Sequence, residues 1–299
     1  MAAVLLGFSN CEGPFTRGGC CLLDTINAFC QAGGMGFFDR LFQRRQTFAM
    51  QASDAKMWQA SRVSGVMPAC QCLGVLQNEK QGRRELSLHR EVQDINCDAW
   101  QCLERLIEQA IARQSTEFAP GLEMPPEQWS QIVTLPESIG KLTSVRKFYL
   151  YGSHLVQIPP VIGNMTNLEE LDLYTSYRLH WLPFELTRCR KLCSSRVSTR
   201  ALYGNYKYRS PFPKLEVSES HVGRRSDFCS VCGGLVASDV WRQVWISLRI
   251  GTDVLPLLVN ACSDNCVRRL PTPARGYVDH PHRGGMDLVQ PETGLRSIQ

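Results

Sequence analysis

Leu135-Pro-Glu-Ser-Ile-Gly-Lys-Leu-Thr-Ser-Val-Arg-Lys-Phe-Tyr-Leu150 decides how this chain is read, because its pattern comes back twice. Leu135-Pro136 returns 23 residues later as Ile158-Pro159, and 24 residues after that as Leu182-Pro183. Ile139-Gly140 returns as Ile162-Gly163, with Leu186 in the equivalent place of the third unit. Val145, Phe148 and Leu150 return as Leu168, Leu171 and Leu173, and in weaker form as Leu192, Ser195 and Val197. Alternation along a strand puts Phe148 and Leu150 on one face. A single unit this short cannot bury that face, whereas stacked neighbours can. Each fully buried Leu or Phe contributes roughly 1.5–3 kcal/mol, so several layers are needed to offset chain entropy.

In this spacing, residues 121–205 resemble the leucine-rich repeat family in its 23-residue form, with the motif LP-x-x-I-G-x-L. The resemblance implies an α+β fold: a short leucine-rich repeat solenoid with an N-terminal helical cap. There are departures. Ser153 and Ser176 stand where the family usually places an asparagine, one extra residue falls near Tyr177-Arg178, and Ser195 takes a leucine position that marks the end of the apolar column. By position, the family's concave binding face falls on Lys147, Tyr149, Tyr151, Glu170, Asp172, Tyr174 and Arg196, with Ser198 beside them. Tyr203, Tyr206 and Tyr208 extend it. These side chains are either solvated strand residues or a partner surface. Tyrosine offers a large contact area at little rotamer cost, which favours the partner surface.

Upstream, residues 1–34 are rich in Gly, Cys and Phe without a period and read as a weakly ordered extension; Met35-Gly-Phe-Phe38 reads like a protein start. Residues 35–120 read as the helical capping region. Phe37, Phe38, Leu41 and Phe42 beside Arg40, Arg44 and Arg45 fit either a membrane-surface helix or, the better reading, a helix packed on its own domain. The clearest helix runs over 98–114, with Asp98 as N-cap and Trp100, Leu103, Leu106, Ile107, Ala110 and Ile111 on one stripe.

Fourteen cysteines without a secretory leader point to reduced thiols and metal ligation rather than a disulfide framework. Cys70, Cys72, Cys97 and Cys102 read as core thiols rather than a second metal set. Past a linker over 206–226, Cys229-Ser-Val-Cys232-Gly-Gly has the shape of a zinc knuckle, and Cys262-Ser-Asp-Asn-Cys266 sits where a helix through Val267 would begin. Val244–Ile250 alternates like a strand, and 257–259 reads as a second one. Knuckle, strands and helix-borne pair resemble a treble-clef zinc finger, here within residues 227–275, with a flexible tail over 276–299 that includes His280 and His282. Cys229, Cys232, Cys262 and Cys266 would then hold a structural Zn2+, since four thiolates leave no open coordination position. Such a site contributes roughly 10–16 kcal/mol of apparent folding free energy.

The 299 residues are 43% hydrophobic and 20% charged, enough to bury a core, and the formal net charge of +5 is too weak to imply nucleic acid by itself. No apolar run approaches a membrane span. The expectation is a cytoplasmic, non-enzymatic protein that binds a protein partner of unknown identity through the concave face. Two alternatives are weighed against it. One is nucleic-acid binding by the zinc region, through Arg224, Arg225, Arg242, Arg249, Arg268 and Arg269 with Trp241 and Trp245. The other is a leucine-rich repeat effector with ligase-type activity; only about ninety residues follow the repeats, and Cys262 already belongs to the metal motif.

Overall fold

The computed structural model describes residues 86, 88–89, 91–215, 227–236 and 241–292. The chain divides into two units, Met1–Ala49 and Met50–Gln299, and every described residue belongs to the second. The extension over 1–34, the Phe37–Phe42 stripe, Cys70, Cys72 and positions 216–226 lie outside the described residues.

Helices and sheets are mixed. α1 (Asp98–Ala112) buries Trp100, Leu103, Ile107 and Ala110 of the stripe read from the sequence, together with Ala99, while Leu106 and Ile111 are partly buried. Its N-cap is Cys97, not Asp98; Asp98 is the first helical residue, where a carboxylate favours the positive helix end. β1 (Glu117–Phe118) follows, then two short helices that open on prolines, α2 (Pro120–Glu123) and α3 (Pro126–Trp129).

Next comes a parallel ladder. β2 (Lys147–Tyr149), β3 (Glu170–Leu173) and β5 (Ser194–Val197) pair side by side, with β1 on the outer edge of β2. The register puts Phe118 beside Phe148, Phe148 beside Leu171, and Leu171 beside Ser195. The period seen in the sequence is thus the step from one strand to the next. Prolines at 136, 159 and 183 each precede a 3-10 turn, Glu137–Lys141, Pro160–Asn164 and Phe184–Arg188, and successive turns pack against each other. Equivalent side chains are buried in one core: Leu135, Ile158 and Leu182; Ile139, Ile162 and Leu186; Val145, Leu168 and Leu192. Phe148, Leu150, Leu171 and Leu173 share that one core, and α1 packs on its first turn.

Serine proves an adequate turn residue. Ser176 Oγ donates to the Leu150 carbonyl (3.1 Å) and lies 2.8 Å from Ser153 Oγ, both side chains being buried. Ser198 Oγ accepts from the Thr175 amide at 2.7 Å. Gly152 and Thr175 occupy the same turn position 23 residues apart, and both take positive φ (66° and 64°). Thr175 adopts it despite its branched Cβ. The extra residue of this unit is taken up in the same turn, where the Tyr177 amide donates back to the Thr175 carbonyl.

Ser195 ends the apolar column for a reason beyond sequence decay. A long hairpin, β6 (Arg242–Ile250) and β7 (Asp253–Ala261), turns at Gly251-Thr252 and sets its tip on β5. Ser195 Oγ donates to the Ile250 carbonyl (2.8 Å) and accepts from the Asp253 amide (3.2 Å). Gly251 has φ +60°, and a Cβ there would stand 2.8 Å from the Ser195 nitrogen. Farther along, β7 pairs in parallel with β4 (Leu182–Pro183), giving the order β4-β7-β6. The hairpin is buried on both faces. Val244, Ile246, Leu257 and Val259 join the ladder core, while Trp245 and Leu258 join a second cluster with Trp181, Tyr203 and Phe212.

The segments expected as linker and tail differ from that expectation. Phe212 and Leu215 are buried, and the Leu215 amide donates to the Arg283 carbonyl. Trp245 and His282 exchange backbone hydrogen bonds of 2.7 and 3.1 Å, and the Ala274 amide donates to the Ser247 carbonyl. Residues 274–285 thereby run along the otherwise open edge of β6, which unpaired would invite another chain. The Pro and Gly content of this stretch looked like looseness; it serves close packing, since Gly284 (φ +69°) touches the Pro213 backbone where no Cβ would fit.

His282 is 6% exposed, packs edge-on to Phe212 at 4.6 Å between centroids, and accepts from the Gly284 amide through Nδ1. Burial, with a smaller contribution from His280, pushes its imidazole down to about 4. The unfolded chain titrates near 6.5, so between about 6.5 and 4 it binds a proton that the fold does not, and stability falls as pH falls. At pH 5.5 this costs about 1.4 kcal/mol. Urea midpoints should therefore drop between pH 7 and 5.5, and the drop should shrink in His282→Gln. His154, held low mainly by burial, leaves a weaker slope of the same sign. An unchanged slope in the variant would contradict this assignment.

Candidate metal centre and sheet face

Cys229 and Cys232 sit on a tight knuckle. The Cys229 amide donates to the Gly234 carbonyl (2.8 Å), the Gly233 amide to the Cys229 carbonyl (2.9 Å), and Gly233 takes φ +72°. Glycine here supplies a turn that L-residues rarely make. Cys262 follows directly on β7, and Cys266 lies in α4 (Asp264–Arg268), whose N-cap Ser263 accepts the Cys266 amide. Knuckle and strand are tied by the Ser230 amide to the Asn260 carbonyl (2.8 Å) and the Asn260 amide to Ser230 Oγ (3.0 Å). Twenty-nine residues, the hairpin among them, therefore separate the pairs in sequence, yet the pairs meet in space.

The four sulfurs all lie within 4.8 Å of one another, the one such metal-capable group among the described residues. Cys232 and Cys262 stand 3.7 Å apart, Cys262 and Cys266 3.4 Å. A tetrahedral ion with metal–sulfur bonds of ~2.3 Å has sulfur–sulfur edges of ~3.8 Å, so the set has the size of a four-thiolate site. The electrostatics agree. Burial opposes ionisation of Cys229, but amides of Cys232, Cys262 and Val231 outweigh it and lower the thiol to about 7. Burial pushes Cys266 up to about 12, helped by its hydrogen bond with Cys262. One thiol is lowered and another raised, and a divalent ion held there would offset the crowding of four thiolates.

Glu185, which carried no sequence signal, lies under this centre. It is 2% exposed, its carboxyl is raised by burial, and its side chain bonds Ser230. Arg188 donates to the Ser230 carbonyl at 3.1 Å. The third proline-led turn thus braces the knuckle. His280 pairs with Asp279 on the surface, and neither it nor His282 belongs to the metal-capable group.

The sheet face places its residues in rows. Lys147 is in register with Glu170, and Tyr149 with Asp172 and Arg196. Lys147 is paired across the ladder with Glu117 at 2.8 Å, a residue the period could not reveal because β1 lies outside it. Asp172 is buried, accepts the Tyr174 amide, and lies 3.3 Å from Arg196, whose guanidinium stands 4.7 Å over the Tyr174 ring. Tyr151 and Tyr174 have ring centroids 6.0 Å apart. Burial and the neighbouring Glu170 push the Tyr149 hydroxyl up to about 12, so it stays a neutral donor. Three expected members are not exposed for contact: Asp172 is buried beside Arg196, Tyr203 is 1% exposed, and Ser198 is buried in the turn ladder. Trp245 is fully buried, its Nε1 donating to the Pro213 carbonyl, and cannot stack on a base.

Loading the purified chain with Zn2+ or Co2+ should give one ion per chain, a cobalt–thiolate absorption band, and proton release on binding. Cys229→Ser and Cys262→Ser should each cost the C-terminal hairpin its cooperative unfolding. Retention of one ion in both variants would move the centre elsewhere. No protein-family model, curated protein or solved structure matches the chain.

Proposed function

We propose that this chain is a non-enzymatic interaction protein of the leucine-rich repeat type, with the face of the parallel ladder as its partner-binding surface. The supporting observation is the composition of that face. Lys147 and Arg196 are neutralised by Glu117 and Asp172 within the fold, which leaves tyrosines 149, 151 and 174 as its distinguishing contact groups. Rings already held by their neighbours lose little entropy when a partner docks. The register of β2, β3 and β5 at the sequence period supports reading the ladder as a short solenoid, with α1 as its N-terminal cap and the hairpin closing the other end.

The C-terminal part reads as a treble-clef-like module in which Zn2+ is structural. Four cysteine ligands give a closed coordination sphere, which suits fold stability rather than hydrolysis. The same assignment removes Cys262 from any thioester chemistry of ligase type. Among the described residues no helix is long and apolar enough to cross a membrane, and a cytoplasmic location with reduced thiols is the compartment this reading fits.

Affinity capture with the wild type beside a Tyr149→Ala/Tyr151→Ala/Tyr174→Ala variant tests the surface. The variant should keep its metal and its thermal transition, yet lose at least tenfold in affinity for the partner the wild type captures. Equal retention by both proteins would move the surface off the ladder.

A further inference from the structure

A second surface lies beyond the ladder, on the turn Gly204-Asn-Tyr-Lys-Tyr-Arg209, where ring and cation alternate. The turn is built rigidly. Asn205 is buried and its side chain accepts the Lys207 amide (2.9 Å), while its carbonyl accepts the amides of Tyr208 and Arg209. Arg209 is turned inward, donating to the carbonyls of Gly204 (3.2 Å) and Gly276 (2.5 Å), with its guanidinium 5.1 Å over Tyr277. What remains outside is Tyr206, 55% exposed, Tyr208, 39% exposed, and Lys207. Arg200 stands 5.9 Å and Lys207 5.7 Å from the Tyr208 ring. Arg249, at the exposed end of β6, adds a positive charge felt by the Tyr277 hydroxyl, beside the Tyr206 backbone.

Arg200, Lys207 and Arg249 are exposed, and among the described residues none has a carboxylate within salt-bridge distance, although Arg249 donates to the Thr252 carbonyl (3.1 Å) and is felt by the Asp253 carboxylate. This is the opposite of the ladder face, where Lys147 and Arg196 are paired off. Exposed cations without a close carboxylate among the described residues, interleaved with open aromatic rings, complement a strand that carries both phosphates and flat bases. A duplex would meet the cations but keeps its bases stacked away from the rings, and an acidic peptide would leave the rings without a flat partner. We propose that the 204–209 turn, with Arg200 and Arg249, binds single-stranded nucleic acid, phosphates meeting the three cations and a base stacking on Tyr206. This surface is distinct from the ladder face and does not depend on it.

Fluorescence anisotropy with labelled dT12 and rU12, using the full chain, tests this. Binding at low salt should weaken as salt rises, with a slope of log K on log salt near −2 for about three phosphates. Tyr206→Ala should weaken binding about tenfold and Tyr206→Phe should retain it, since stacking needs the ring and not the hydroxyl. Arg200→Ala/Lys207→Ala should flatten the slope by roughly 1.4. Unchanged metal content and thermal transition would show that the variants fold. Tyr206→Ala binding as tightly as wild type, equal competition by polyglutamate, or no binding at low salt would each overturn the proposal.

Discussion

A stacked column of side chains has an open end, and closing that end is the constraint on which the rest of this structure depends. The parallel ladder buries Phe118, Phe148 and Leu171 one beside the next, but at β5 the series would present apolar surface and unpaired backbone to water. The chain meets this with a serine and a hairpin. Ser195 replaces the next apolar side chain by a hydroxyl that both donates to and accepts from the hairpin tip. The side chains behind it, Val244, Ile246, Leu257 and Val259, continue the core that the ladder began.

The base of that hairpin lies beside the cysteines. Its ends carry the knuckle on one side and the Cys262–Cys266 turn on the other; among the described residues the Ser230–Asn260 pair and the Cys262 amide, which donates to Cys229 Sγ (3.3 Å), hold those two together. A cation bound by four thiolates would cross-link the hairpin base just as the Ser195 contacts fix its tip. Glu185 and Arg188 extend the linkage, because the turn that buries Leu186 in the ladder also touches Ser230 in the knuckle. An ion bound by the four cysteines would therefore be linked to the ladder end through named contacts.

Much of this was legible before any coordinates. The LP and IG spacings picked out side chains that are buried in one core, and the two cysteine pairs picked out a metal-sized cluster, because both signals are periodic or closely spaced in sequence. Other features depend on contacts between distant positions and left no local trace. β1 pairs with β2 across a thirty-residue step (Glu117 to Lys147) that the period does not contain, so Glu117 as the partner of Lys147 was invisible. Pro211–Leu215 and the stretch through Gly285 have the composition of loops, yet they close an edge strand and bury Phe212 and His282. Tyr203, which continues the tyrosine series in sequence, turns inward to meet Trp245 at 5.9 Å between rings. Composition reported flexibility there; backbone pairing and aromatic packing decided otherwise.

Amide hydrogen exchange, read peptide by peptide with and without a chelator, addresses the central coupling most directly. Removing the metal should strip protection from β6 and β7 and from β5, the strand the hairpin covers, while β2, β3 and α1 keep most of theirs. Protection of β5 that is indifferent to the metal, or loss spread evenly over the whole ladder, would contradict the view that a metal-clamped hairpin closes one end of a stacked core.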